Sequence, residues 1–157
     1  MLSLLSEYKY RVMVVYIIGL FIQIIDGTVV NIAIPTLAEE FGVESTDVDW
    51  TIIGFFLAVA VMIPIAGFLG DKFGTKRIFL VALTGFVAAS ALCGASQTLQ
   101  QLVAFRMIQG LFAGLITPIG SAMLFRAFPL KERAKASAAV IGVAVIAPAI
   151  GPALGGL

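Results

Sequence analysis

The sequence predicts an all-α membrane protein with five transmembrane helices, and three observations carry that prediction. Of 157 residues, 61% are hydrophobic and only 12% are charged, whereas a soluble domain runs about 45–50% apolar and about 25% charged. A globule of this length keeps a large water-facing surface and has no single core in which to hide so much apolar area. The apolar residues also fall into five long stretches, at about residues 12–35, 50–69, 78–95, 102–125 and 137–157. Finally, the basic residues cluster in alternate connections between those stretches.

A hydrocarbon core of ~30 Å takes about 20 helical residues to cross, and each stretch is close to that length or beyond it. Helices follow because an open sheet would leave backbone groups unpaired in lipid, and strand-like alternation is absent. The first stretch follows Lys9 and Arg11 and so begins like a signal peptide. It is too long for one, contains Asp26 and lacks a small-residue cleavage site, so it predicts an uncleaved first span. An acidic connection with Glu39, Glu40, Glu44, Asp47 and Asp49 leads to the second stretch, which opens at Trp50, where an interfacial aromatic is expected. The third runs between a basic segment with Lys72, Lys76 and Arg77 and the uncharged connection 96–101. The fourth contains Arg106 and is followed by Arg126, Lys131, Arg133 and Lys135. Glycine and alanine throughout the stretches suit close helix packing in lipid.

Nine of the ten basic residues thus fall on one side of the membrane if the spans alternate. The positive-inside rule places that side, and the N-terminus with it, in the cytoplasm. The expected location is the cell membrane, as a multi-pass protein with the lipid bilayer as its surroundings. A net charge of +1 offers no basic excess for phosphates, so no nucleic-acid partner is expected. The chain has no histidine, and Cys93 is its only cysteine. No metal set and no nucleophile–base constellation emerges, so neither an enzyme nor a bound cofactor is expected.

Two charges are predicted inside the membrane, Asp26 in the first span and Arg106 in the fourth. Intramembrane ionisable residues are costly and by default mark function. Asp26 stands nine residues before Pro35, or ~13 Å at 1.5 Å per residue, and Arg106 stands four after Leu102, or ~6 Å. Both lie in the outer half, within side-chain reach of a pair. One reading is structural: a snorkelling Arg106, or a fixed ion pair. The other is a proton-responsive pair, since desolvation penalises a carboxylate and a neighbouring guanidinium favours it. Gln23 is one turn from Asp26, whereas Asn31 is about 140° around the helix from it. Arg106, Gln109, Gly110, Gly114, Thr117 and Ser121 share one face of the fourth span. That face lines a polar cavity near Arg106, or packs against another helix through its small residues.

Four motifs then carry a resemblance. Gly67-Phe-Leu69-Gly70-Asp71-Lys72-Phe-Gly74-Thr75-Lys76, followed by Arg77, resembles the loop signature of the major facilitator superfamily between its second and third spans, with Thr75 standing where a basic residue is usual. Glycines there permit tight turns and close approach, and Asp71 suits helix N-terminal amides or basic partners. Asp26-Gly-Thr28-Val-Val-Asn31-Ile-Ala33-Ile-Pro35 resembles the first-helix signature of the fourteen-helix drug:proton antiporters. Leu102-x-x-x-Arg106-x-x-Gln109-Gly110 resembles their fourth-helix motif, with Phe112 replacing a usual small residue. Ala147-x-x-x-Gly151-Pro152-x-x-Gly155-Gly156 resembles their fifth-helix motif, with Ala147 in place of its first glycine.

The resemblance implies a proton-driven exporter working by alternating access, with the proton gradient as driving force and small lipophilic, often cationic, substrates. It implies that Asp26 and Arg106 couple protons; Gln23, Asn31, Gln109, Thr117 and Ser121 are the polar-cavity candidates that the residues themselves supply. Gly67, Asp71, Lys72, Gly74, Lys76 and Arg77 make up the cytoplasmic loop motif, in which Asp71 and its basic neighbours would stabilise the cytoplasmic contact between halves. Gly151, Pro152, Gly155 and Gly156 would form a bending interface. Superfamily folds nest three-helix repeats within six-helix halves, so residues 1–157 are expected to be an incomplete N-terminal bundle whose partner is the remainder of a transporter. Two other readings stand beside antiport: a transporter of another small solute, and a truncated membrane fragment without transport.

Overall fold

The five apolar stretches become five α-helices in chain order: α1 (Leu2–Phe41), α2 (Ser45–Phe73), α3 (Thr75–Gly94), α4 (Leu99–Ala127) and α5 (Leu130–Gly155). The structure, a computed structural model, describes the backbone of residues 2–155 and the side chains of residues 7–150. All five helices are long and apolar enough to cross a membrane. The protein is a multi-pass membrane protein.

The helices outrun the apolar stretches. α1 has 40 residues and continues past Pro35, expected to close the first span, to Phe41. Pro35 removes one backbone donor, yet the helix continues through it to Phe41. The helix ends at Gly42, where φ is +64° and the Val43 N–H bonds the Ala38 carbonyl at 3.0 Å. That left-handed closing residue is one glycine adopts without steric cost. Thr98 caps the start of α4: its side chain accepts from the Gln101 N–H, satisfying one of the orphan donors of a helix start. The predicted cytoplasmic loop is shorter than expected. Gly67–Phe73 forms the last turns of α2, and Gly74 alone links α2 to α3, at φ +89°.

α4 is the central helix, in contact with the other four. Its Gly110 and Gly114 meet α2 backbone to backbone. A Cβ on Gly110 would collide with the Phe55 carbonyl, and one on Gly114 would lie 2.8 Å from the Val59 oxygen. The lower part of the polar or small face is therefore a packing seam. On the opposite side, the Phe112 ring fills the space that Gly85 leaves on α3, with ring carbons 2.5–2.6 Å from where a Cβ would stand. The large residue at position 112 is matched by a missing side chain across the interface. Tyr16 of α1 packs its ring over Gly120 and donates its hydroxyl to the Thr117 carbonyl at 3.4 Å. Phe79, Phe86, Ile116 and Leu124 complete the buried centre.

Candidate functional site

The approach of α2 and α3 onto α4 leaves one side of α4 to face α1, and the two intramembrane charges meet there. Arg106 Nη1 lies 2.6 Å from Asp26 Oδ2, with side-chain exposures of 8% and 12%. The helix ends do not mark equal depths, so the ~7 Å difference estimated from the span ends does not keep the two groups apart, and the long arginine side chain reaches the carboxylate. Arg106 points into the bundle and does not snorkel to the interface.

Two α4 groups and one α3 group complete the carboxylate's surroundings. Arg106 Nη1 also donates to Gln109 Oε1 at 2.9 Å, and Gln109 Nε2 donates to Asp26 Oδ1 at 3.0 Å. These three residues close a ring of bonds from one oxygen of Asp26 to the other. Gln109 has no exposed surface, so it belongs to the ion-pair network and does not line the cavity as expected. Ser90 of α3 donates to Asp26 Oδ1 at 3.3 Å, and the Cys93 thiol lies 3.7 Å from Gln109 Oε1. Sequence reasoning missed both α3 residues, because a serine and a cysteine in an apolar helix look the same as packing residues. Their spacing of three, with Gln109 predicted inside the membrane, was the available signal.

A cavity of about 420 Å³ opens beside the pair, between α1, α2 and α4. Gln23, Thr28, Asn31, Thr51, Arg106 and Thr117 are its polar lining residues, and Leu20, Ile24, Phe55 and Phe56 are among its apolar ones. Gln23, Asn31 and Thr117 thus stand where a polar interior was expected. Ser121 does not: its hydroxyl turns back to the Pro118 carbonyl at 2.9 Å, and it lies off the cavity. A second cavity of about 500 Å³, between α1, α3 and α4, is lined by Asp26, Ser90, Cys93 and Arg106 among others. Arg106 therefore faces both cavities, and Asp26 only the second. Arg106 Nε and Gln23 Oε1 are buried with no hydrogen-bond partner among the described residues.

At the other end of the bundle, Asp71 accepts from Arg126 at 3.0 Å, joining α2 to α4. Of the two partners open to Asp71, it takes the basic side chain. Gly74 makes the expected tight turn. Gly67 makes neither a turn nor a close approach, since nothing lies within 4 Å of where its Cβ would stand. Lys72 lies over the Phe68 and Phe73 rings at 5.4 and 5.3 Å, and Lys76 and Arg77 are exposed. Lys9 pairs with Glu132, tying α1 to α5. Gly151, Pro152 and Gly155 fall outside the described side chains, and Gly156 falls outside the described backbone. Ala147 of the same motif is fully buried.

Residues 16–157 match the family model described as Major Facilitator Superfamily. The chain belongs to this superfamily. Within it, the chain is 41% identical over 136 residues to the multidrug export protein EmrB of Haemophilus influenzae and 39% identical over 139 residues to the fatty acid resistance protein FarB of Neisseria gonorrhoeae. It is 38% identical over 136 residues to EmrB of Escherichia coli. These matches cover 87–88% of this chain and 27% of each relative. The chain thus spans just over a quarter of the length of these curated relatives, and the superfamily expected from the loop signature is borne out.

Proposed function

We propose that this chain serves in proton-coupled efflux of small lipophilic compounds by alternating access, as part of a complete transporter. The observation that carries the reading is the buried ring of Asp26, Arg106 and Gln109 beside a cavity lined by both polar and apolar residues. A carboxylate paired to a guanidinium away from water is a group whose protonation depends on its neighbours' positions. A movement of α4 against α1 alters that distance, so conformational change and proton binding become linked. Arg106 Nε and Gln23 Oε1 leave spare bonding capacity for a second arrangement of the same groups. The relatives' names, multidrug export and fatty acid resistance, support a lipophilic substrate.

The cavity itself supports a second reading of substrate charge. Its one ionisable lining residue, among those described, is Arg106, which favours a lipophilic acid over the often cationic compounds implied by the family resemblance. Competition between a lipophilic carboxylate and a permanent lipophilic cation for export separates the two.

In a complete transporter reconstituted in vesicles, Asp26→Asn is expected to abolish export driven by a pH gradient while membrane insertion stays intact. Unchanged gradient-driven export in that variant would remove Asp26 from coupling. The proposed orientation places the N-terminus in the cytoplasm. A cysteine at Glu44 in a Cys93→Ser background is then expected to label with an impermeant reagent from outside intact cells. Labelling only after permeabilisation would invert the topology.

A further inference from the structure

We infer that the groove between the start of α1 and the start of α3 is a binding site for an anionic phospholipid of the adjoining leaflet. The groove encloses about 260 Å³ and lies over Met123 of α4. Arg11 and Lys76 line it, one from each helix, together with Tyr8. One helical turn further along, α1 contributes Val15 and α3 contributes Leu80, both substantially exposed. Tyr8, Arg11 and Val15 follow the i, i+3, i+7 spacing of one helix face, and Lys76 and Leu80 the i, i+4 spacing of another. The two helices therefore present the same gradient to one space, cationic at the membrane end and apolar a turn deeper.

That gradient fits an amphiphile whose head is an anion and whose body is a hydrocarbon chain. Basic pockets between transmembrane helices bind phospholipid head groups in this way, and a tyrosine at the same level suits the head-group region. Lys76 has no ion-pair partner among the described residues. Arg11 bonds Glu7 at 3.1 Å, but both side chains are mostly exposed, and such an i, i+4 pair in water is weak. A phosphodiester between Arg11 and Lys76 meets two cations at once. Inorganic phosphate would meet the same two cations but leave the apolar floor uncovered, so the lipid is the occupant.

The test uses the complete transporter, purified with bound lipid and examined by native mass spectrometry. It is expected to retain phosphatidylglycerol in preference to phosphatidylcholine, and excess inorganic phosphate is not expected to displace it. Each membrane-surface cation contributes about fivefold to such binding, so Arg11→Gln with Lys76→Gln should weaken phosphatidylglycerol retention on the order of 25-fold. Lys131→Gln with Lys135→Gln, which neutralises equal charge elsewhere, should leave retention largely intact. Equal retention of both lipids, or equal loss in the two double variants, would overturn the site. A photoreactive side chain in place of Leu80 reports the occupant directly. A lipid adduct supports the proposal, and an adduct only to another segment of the same polypeptide overturns it. None of these readouts depends on proton coupling or on which side the N-terminus lies.

Discussion

Arg106→Leu in the complete transporter is expected to lower its thermal stability sharply and to end proton-driven export. The guanidinium and the Asp26 carboxylate are both nearly inaccessible, and removing one member of a buried pair leaves the other charge uncompensated. Such losses run to about 3–5 kcal/mol, whereas replacing both members together is often close to neutral. Gln109 and Ser90 still donate to Asp26 in the variant, but neutral donors stabilise a buried carboxylate less than a cation does. The double variant Asp26→Asn with Arg106→Leu is therefore expected to recover most of the lost stability and none of the export. That separation distinguishes a coupling pair from a structural one. A double variant that still exports against a pH gradient would make the pair structural only. A single variant as stable as the parent would mean that the pair is not buried in the complete protein.

Gly110→Val is expected to give the second large effect, this time on assembly of the bundle. The new Cβ would collide with the Phe55 carbonyl, lie 2.9 Å from the Ala58 Cβ and lie 3.1 Å from the Phe55 carbonyl carbon. Two of these three atoms are backbone, so no side-chain rotation relieves the contact and α2 must move away from α4. Overpacking costs about 1–3 kcal/mol where side chains adjust and more where they do not. The loss should appear as a lower thermal midpoint and lower yield in the membrane. Gly67→Ala is the internal control. Its Cβ meets nothing within 4 Å, so it should be neutral, or stabilising by up to about 1 kcal/mol, through the helix preference for alanine. Equal effects from the two substitutions would contradict the packing of α2 on α4.

The sequence disclosed the five helices because lipid requires each crossing segment to be long and apolar, and that requirement leaves a direct imprint on composition. Helix ends were less legible. Backbone hydrogen bonding carries α1 on through Pro35 to Phe41 and α2 through Asp71 to Phe73, and neither extension needs apolar residues. Asp26 and Arg106 stood out because charge inside a membrane is rare. Their partnership was within reach of the spacing, but their closeness depended on how α1 and α4 pack. Ser90 and Cys93 were not legible. What makes Ser90 a donor to Asp26 is the position of α3 against α4, fixed in part by Phe112 filling the space at Gly85. Ser121 was misread for the complementary reason. Its helical phase matches Arg106, but its hydroxyl returns to the Pro118 carbonyl, a local bond that serine commonly makes in apolar helices.

Proton release on substrate binding tests the coupling role of Asp26 most directly. The complete transporter, purified in weakly buffered detergent, is mixed with a lipophilic substrate while free protons are counted. Release from the parent protein and none from Asp26→Asn is the predicted result. Equal release from both, with substrate still bound, would contradict the account and move proton coupling to another group.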